Sequence, residues 1–407
     1  MGRSQRVLEG LADITPWQEE LYIDLHRNPE LSMQESETAA EIARRLESFG
    51  YAVQHIGGGV VGVLENGDGP TVLFRADIDA LPVKEATGLD YASTKTATDA
   101  EGNTVPVMHA CGHDAHIVAG LGAAALLADN RDEWAGTYIA LFQPGEETAS
   151  GAASMVADGL VDKVPKPDVA LGQHVLVTPW SGQVGTIAGP MLSTGTCLKV
   201  TVFGKGSHGS MPHLGVDPVL LASSIVVRLQ SIVAREIAPS DFGVVTVGSL
   251  QAGTKANIIP DRAVLLLNVR AYDSAIRDQI VAAIERIVRA ECAATGSPQD
   301  PEIELFDSYP LTDNDPEVTA KVTAALVAVL GQDRVVTLKP ITASEDFSII
   351  PDAFGIPYCY WGFGGFAEGT PTLPNHNPGF APVIQPTLCT GTEAAVAGVL
   401  AYLGKEN

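Results

Sequence analysis

The sequence predicts an α/β protein, helices packed on a central sheet, with a smaller α+β unit inserted into it. Three observations carry that expectation. Helix and strand signals alternate along the first third of the chain. Acids or a histidine stand just after one apolar run after another. Between residues 187 and 300 the pattern changes to long helices and separate strands.

In chain order, Thr15-Pro16-Trp17-Gln18 has the form of a capping box with proline at the first helical position, and residues 36–49 read as a helix closed by Gly50. Apolar runs bounded by turns at 71–76, 137–142 and 168–171 predict buried strands. Asp77 and Asp79, Glu146 and Glu147, and His174 follow those runs. Ligands of open α/β sheets collect at the carboxyl ends of strands, so these sequence-distant groups can converge on one site. In the insert, 198–203, 244–250 and 264–270 read as strands, and 218–235 and 274–292 as helices. A helix at 316–330, a strand at 356–361 and a terminal helix at 392–403 return the chain to the larger domain. The expected division is 1–186 with 301–407 for that domain, and 187–300 for the insert.

The 407 residues carry 25 Lys+Arg against 49 Asp+Glu, a formal charge of −24. Without a basic cluster, such a chain has no phosphate track, which excludes nucleic acid and anionic membrane surfaces as partners. The longest apolar run, 117–128, is too short to span a bilayer, and the first twenty residues lack the apolar stretch of a secretory signal. Five widely spaced cysteines are not a disulfide framework, so the expected location is the reducing cytoplasm.

Histidine placement points to chemistry. The segment MHACGHDAH (108–116) holds three of the nine histidines together with Cys111 and Asp114, and a thiolate two residues before His113 suits zinc and its first-row neighbours. The structural alternative makes Cys111 a small core residue and the histidines helix caps. In FQPGEE (142–147) two adjacent carboxylates follow a strand; beside a metal, one can ligate while the other handles protons, whereas alone they are a solvated loop. His174 and His376 are polar residues among apolar neighbours, each equally readable as a hydrogen-bonded structural histidine.

The order HRNPELSMQE (26–35), RADIDALPV (75–83), MHACGHDAH, FQPGEE, GQH (172–174), GSHGSMPH (206–213), ANIIP (256–260), SEDF (344–347) and NHNPGF (375–380) resembles the amidohydrolase branch of the M20 metallopeptidase family, from about residue 15 to 400. That branch contains hippurate hydrolases, N-acyl-amino-acid aminoacylases and indoleacetyl-amino-acid hydrolases. The resemblance implies a metal-dependent exopeptidase-like catalytic domain with a central mixed sheet, and a ferredoxin-like lid through which the chain forms a homodimer. It also implies two divalent ions, zinc favoured and manganese the alternative, held by Cys111, His113, Glu147, His174 and His376. By the same resemblance Glu146 is the general acid/base, and His208 reaches from a neighbouring subunit to stabilise the transition state. Asn257 and Arg270 anchor the substrate carboxylate, while Asp77 and Asp79 stand behind the metal ligands.

Such a site cleaves the amide of a small N-acyl amino acid: the ions acidify a water and polarise the carbonyl, and Glu146 moves the proton to the leaving nitrogen. The two-pronged guanidinium of Arg270 suits a carboxylate, although by itself it also reads as a surface ion pair. A dipeptidase or carboxypeptidase of the same family is the alternative, followed by a non-catalytic metal-binding protein, against which the spare carboxylate of the Glu146-Glu147 pair argues. Gly204-Lys205-Gly206-Ser207-His208-Gly209 satisfies a dinucleotide-binding pattern in form, but Pro212 and Pro218 intervene before the next helix, which starts at Asp217-Pro218.

Overall fold

Four neighbouring strands, Gly136–Gln143, Thr71–Asp77, Val169–Ser181 and Tyr358–Gly364, run parallel at the centre of an eight-stranded sheet in the computed structural model, which describes residues 2–405. Gly136–Gln143, Thr71–Asp77 and Tyr358–Gly364 are buried nearly throughout, as is the first half of Val169–Ser181, so the sequence shows continuous apolar runs and not alternation. The antiparallel pair Ala52–Ile56 and Gly59–Asn66 extends one side, and Val184–Thr186 and Val335–Thr337 the other. Register sets Asp77 opposite Gln143 and His174 opposite Gly362. Helices His113–Asp129 and Thr387–Leu403 pack on each other and on these strands.

The chain folds as two units, the second comprising Leu192–Thr312 with Pro340–Glu345 and the first the remainder. In the second unit the order strand, helix, strand, strand, helix, strand builds a four-stranded antiparallel sheet, Gly243–Ala252, Arg262–Ala271, Thr194–Phe203, Glu302–Tyr309, which is the ferredoxin-like arrangement. Helices Pro218–Arg235 and Ser274–Thr295 cover one face. Asp217 and Asp273 cap them by accepting from Val219 N at 2.8 Å and Ala275 N at 2.6 Å. Pro218–Arg235 is long and apolar enough by composition to cross a membrane, but Leu221, Ile225, Leu229 and Ile232 are spent on this unit's core.

Four details differ from the sequence expectation. Strand Glu302–Tyr309 does not lead back to the first unit; it pairs with Thr194–Phe203, so the unit runs from 192 to 312 where the sequence suggested 187–300. That strand is largely exposed, and its sequence EIELFDSY lacks a buried strand's apolar run. The first long helix is Leu11–Arg27 with Pro16 inside it, and the Thr15 hydroxyl donates back to Leu11 O at 2.8 Å instead of capping a helix start. Strand Val169–Ser181 runs on through His174. The terminal helix starts at Thr387, because Thr387, Thr390 and Thr392 are buried helical residues and not a polar lead-in.

Candidate metal centre

The first unit gathers the reactive groups at the carboxyl end of its parallel strands. Thr71–Asp77 ends in buried Asp77, with buried Asp79 following. After Gly136–Gln143 the chain turns through Gly145, whose φ of 55° is left-handed, into the short turn Glu146–Thr148. Gly112, with φ 80°, sets Cys111 just before the helix that opens with His113. A Cβ on Gly112 would lie 2.4 Å from Val175 Cγ1, so glycine is required by contact as well as conformation. His376, also left-handed at φ 69°, is held by its backbone N–H donating to Ala110 O at 2.8 Å.

These turns bring the five expected ligands into one cluster. Glu147 stands between two imidazoles, 3.3 Å from His376 Nε2 and 3.9 Å from His113 Nε2. Cys111 Sγ is 3.4 Å from His174 Nε2, and the ligand atoms of Cys111, Glu147 and His376 lie within 4.8 Å of one another, as do those of His113, Glu146 and Glu147. His113 Nε2 and Glu147 Oε1 are buried without a hydrogen-bond partner. Burial of unpartnered polar atoms is costly, and a soft-and-borderline donor set of one sulfur, three imidazoles and a carboxylate fits divalent first-row metals.

Asp79 organises the cluster. Its carbonyl and Oδ1 lie 2.9 and 3.1 Å from His113 Nδ1, so the ring donates there and turns Nε2 toward Glu147. Its Oδ2 accepts from Glu147 N at 3.0 Å and Ser32 Oγ at 2.6 Å. Burial opposes ionisation of Asp77, yet neighbouring His113, the Arg75 guanidinium and the hydrogen bond from His116 outweigh it and hold the carboxyl well below its usual range. Hydrogen bonds to Cys111 and Glu147 lift His376 to about 10. The cluster's anions draw protons onto His113 and His376, and would draw a divalent cation for the same reason, whereas burial and neighbouring His116 hold His174 well below the ordinary imidazole value.

Several neighbours were visible only as members of longer motifs. Glu35 accepts from Gly145 N at 2.8 Å, steadying the turn that carries Glu146; burial and nearby Asp79 raise its carboxyl to about 7. Arg75, wholly buried, donates to Asp77 Oδ2 at 2.7 Å and to Gln143 Oε1 at 2.9 Å, and pairs with Asp346 at 3.3 Å. His116 contacts Asp77 and His174.

His208, Asn257 and Arg270 belong to the second unit. His208 is exposed on the two-residue strand Ser207–His208, its Nδ1 accepting from Ser210 N at 3.1 Å, which leaves the proton on Nε2. After Gly209 comes only the single 3-10 turn Pro212–Leu214, and the next α-helix starts at Pro218, which disposes of the dinucleotide pattern. Asn257 is exposed, its carbonyl accepting from Gly209 N at 2.8 Å. Arg270 donates to Asn268 Oδ1 at 2.9 Å, Thr342 O at 2.7 Å and Ser344 Oγ at 2.9 Å.

A mixed sheet whose strand ends collect a thiol, three imidazoles and paired glutamates defines a metal-dependent hydrolase. Residues 73–397 match peptidase family M20/M25/M40. The chain is 35% identical to the N-acetyl-L-cysteine deacetylase of Bacillus subtilis (strain 168) over 84% of its length and 79% of that protein's. It is 33% identical to thermostable carboxypeptidase 2 of Saccharolobus solfataricus over 98% and 96%. The crystal structure of the Bacillus subtilis YXEP protein, a dinuclear metal binding peptidase from the M20 family, superposes with a TM-score of 0.77 at 29% identity, covering 96% of this chain and 99% of that one. The chain therefore belongs to the M20/M25/M40 family, and it is a hydrolase acting on amide bonds.

Proposed function

We propose that this hydrolase cleaves small N-acyl-L-amino acids to a carboxylic acid and a free amino acid, with Glu146 as the base and Cys111, His113, Glu147, His174 and His376 holding two divalent ions. The observation that carries the reading is Glu147, set between His113 and His376 with Glu146 buried beside it: one carboxylate to ligate and a neighbour left for protons. When bound, the ions supply the Lewis acidity that acidifies a water and polarises the amide carbonyl. Glu146 takes the water's proton and returns it to the leaving nitrogen. His208 offers an Nε2–H donor suited to a developing oxyanion, a contact worth about 3 kcal/mol in related settings. Arg270, with Asn257, grips the carboxylate of the amino-acid half, which makes the leaving amine an α-amino acid.

The remaining assignments belong to the same reading. The protein works as a homodimer through its ferredoxin-like unit, with His208 acting in trans; a fully active monomer in sedimentation would remove that role. The thiolate favours zinc, and manganese is the alternative. Five unpaired cysteines suit the reducing cytoplasm. The substrate is tested by hydrolysis of a grid of acyl groups against amino acids, with metal content measured alongside. Likeness to a carboxypeptidase keeps peptidase activity as the second reading. Faster cleavage of free dipeptides than of N-acetyl or N-benzoyl amino acids would establish it, and no turnover across the grid at full metal occupancy would leave a binding protein.

A further inference from the structure

His116 stands one turn after His113 on the same helix face, with its ring centroid 4.5 Å from that of His174. Ligand atoms of Asp77, His113, His116 and His174 lie within 4.8 Å of one another, so proximity alone would make His116 a metal ligand. Its hydrogen bonds say otherwise. His116 Nε2 accepts the backbone N–H of Val175 at 2.7 Å. A peptide N–H only donates, so that nitrogen carries no proton and its lone pair is taken; Nδ1 carries the proton and donates to Asp77 Oδ1. Neither nitrogen has a lone pair left for a cation.

Val175 joins the two rings. Its N–H is held by His116, and its carbonyl accepts from His174 Nδ1 at 2.7 Å. That second bond turns His174 Nε2 toward Cys111 Sγ, 3.4 Å away. Behind His116 the support is continuous: Asp77 Oδ2 accepts from Arg75, and Arg75 and Gln143 both donate to Asp346 Oδ1, at 3.3 and 2.6 Å. Asp346 Oδ2 accepts from Ala152 N at 3.0 Å. Arg75, Asp77, His116, Gln143 and Asp346 are all buried.

We propose that His116 is a positioning residue: fixed between Asp77 and Val175, it aligns the Val175 peptide so that His174 presents Nε2 as a ligand, and it binds no metal itself. The inference rests on the reading of His174 as a metal ligand. Two amides separate the bonds. In His116→Gln the side-chain oxygen reaches the Nε2 position and still accepts from Val175. In His116→Asn the side-chain NH2 sits near the Nδ1 position, still donates to Asp77, and leaves Val175 N–H unpaired. The Asn variant is expected to bind one of its two ions 10- to 100-fold more weakly in chelator competition, with kcat reduced and KM unchanged, while the Gln variant stays within about threefold of wild type. Equal loss of one ion in both variants overturns the proposal in favour of ligation, and wild-type affinity in the Asn variant overturns it in favour of no role. Wild-type protein stripped by chelator supplies a measurement independent of the variants' folding: 15N NMR is expected to show both His116 and His174 protonated on Nδ1, and a His116 proton on Nε2 sinks the proposal. His174→Ala is the control for the underlying reading, since two ions bound at wild-type affinity there would remove His174 as a ligand and leave the His116 tautomer untouched.

Discussion

The two units solve the burial problem differently. Among the described residues of the second unit, the buried polar side chains from 192 to 312 are Ser193, Thr194, Thr196, Thr201 and Thr312, all neutral hydroxyls, and Glu345 at the end of the 340–345 segment is its one buried charge. The first unit buries Arg75, Asp77, Asp79, Asp114, Glu146 and Asp346. Charge removed from water is tolerated only where partners compensate it, so the first unit's interior is a connected polar network, while the second's is a set of interchangeable apolar contacts. Stability and chemistry are therefore coupled in one unit and separable in the other.

Four tests bear on that contrast, in descending order of effect. Glu146→Gln is expected to lower kcat by about 10³-fold, roughly 4 kcal/mol, with two ions per chain retained, whereas Cys111→Ser loses metal as well; turnover near wild type in the Gln protein would remove Glu146 as the base. Arg75→Met leaves Asp77 and Asp346 without their cation and should cost about 3 kcal/mol in chemical denaturation, together with weaker metal binding. A loss of stability with metal affinity untouched would show the two to be separable there too.

The third test concerns pH. Burial opposes charge on His26, yet its bonds to Asp114 at 2.7 Å and Glu85 at 3.1 Å lift it from the ordinary 6.5 to about 10. Because the folded value is the higher one, this contribution is complete below pH 6.5 and is lost as pH rises toward 10. Wild-type stability should fall across that window, and His26→Gln should flatten the slope. An unchanged slope would assign it to other groups. Smallest is Ile225→Val in the core of the second unit, expected to cost about 1 kcal/mol with kcat and metal content unchanged. A drop in metal affinity from that change would contradict the separation of the two interiors.

The three histidines of MHACGHDAH show how far spacing reaches. All three are buried, and spacing alone does not rank them; the family resemblance was needed to single out His113. In the structure His113 faces Glu147, and His116 is locked between Asp77 and a backbone N–H. His109 has no protein partner on either nitrogen, and burial pushes it down to about 4. Helix periodicity places residues on a face but does not say which strand that face meets. Glu302–Tyr309 was misplaced for a related reason: an exposed edge strand carries little periodic signal, and its partner lies about a hundred residues earlier in the chain.

What the amino-acid order determined alone was local: apolar runs that must be strands buried on both faces, Asp-Pro helix starts at 217 and 315, and the residue types able to bind a metal. Tertiary structure decided the rest. Hydrogen-bond direction, the choice of tautomer and the pairing of buried charges depend on atoms that meet only after distant segments pack, which is why Val175, silent in the sequence, joins His116 to His174.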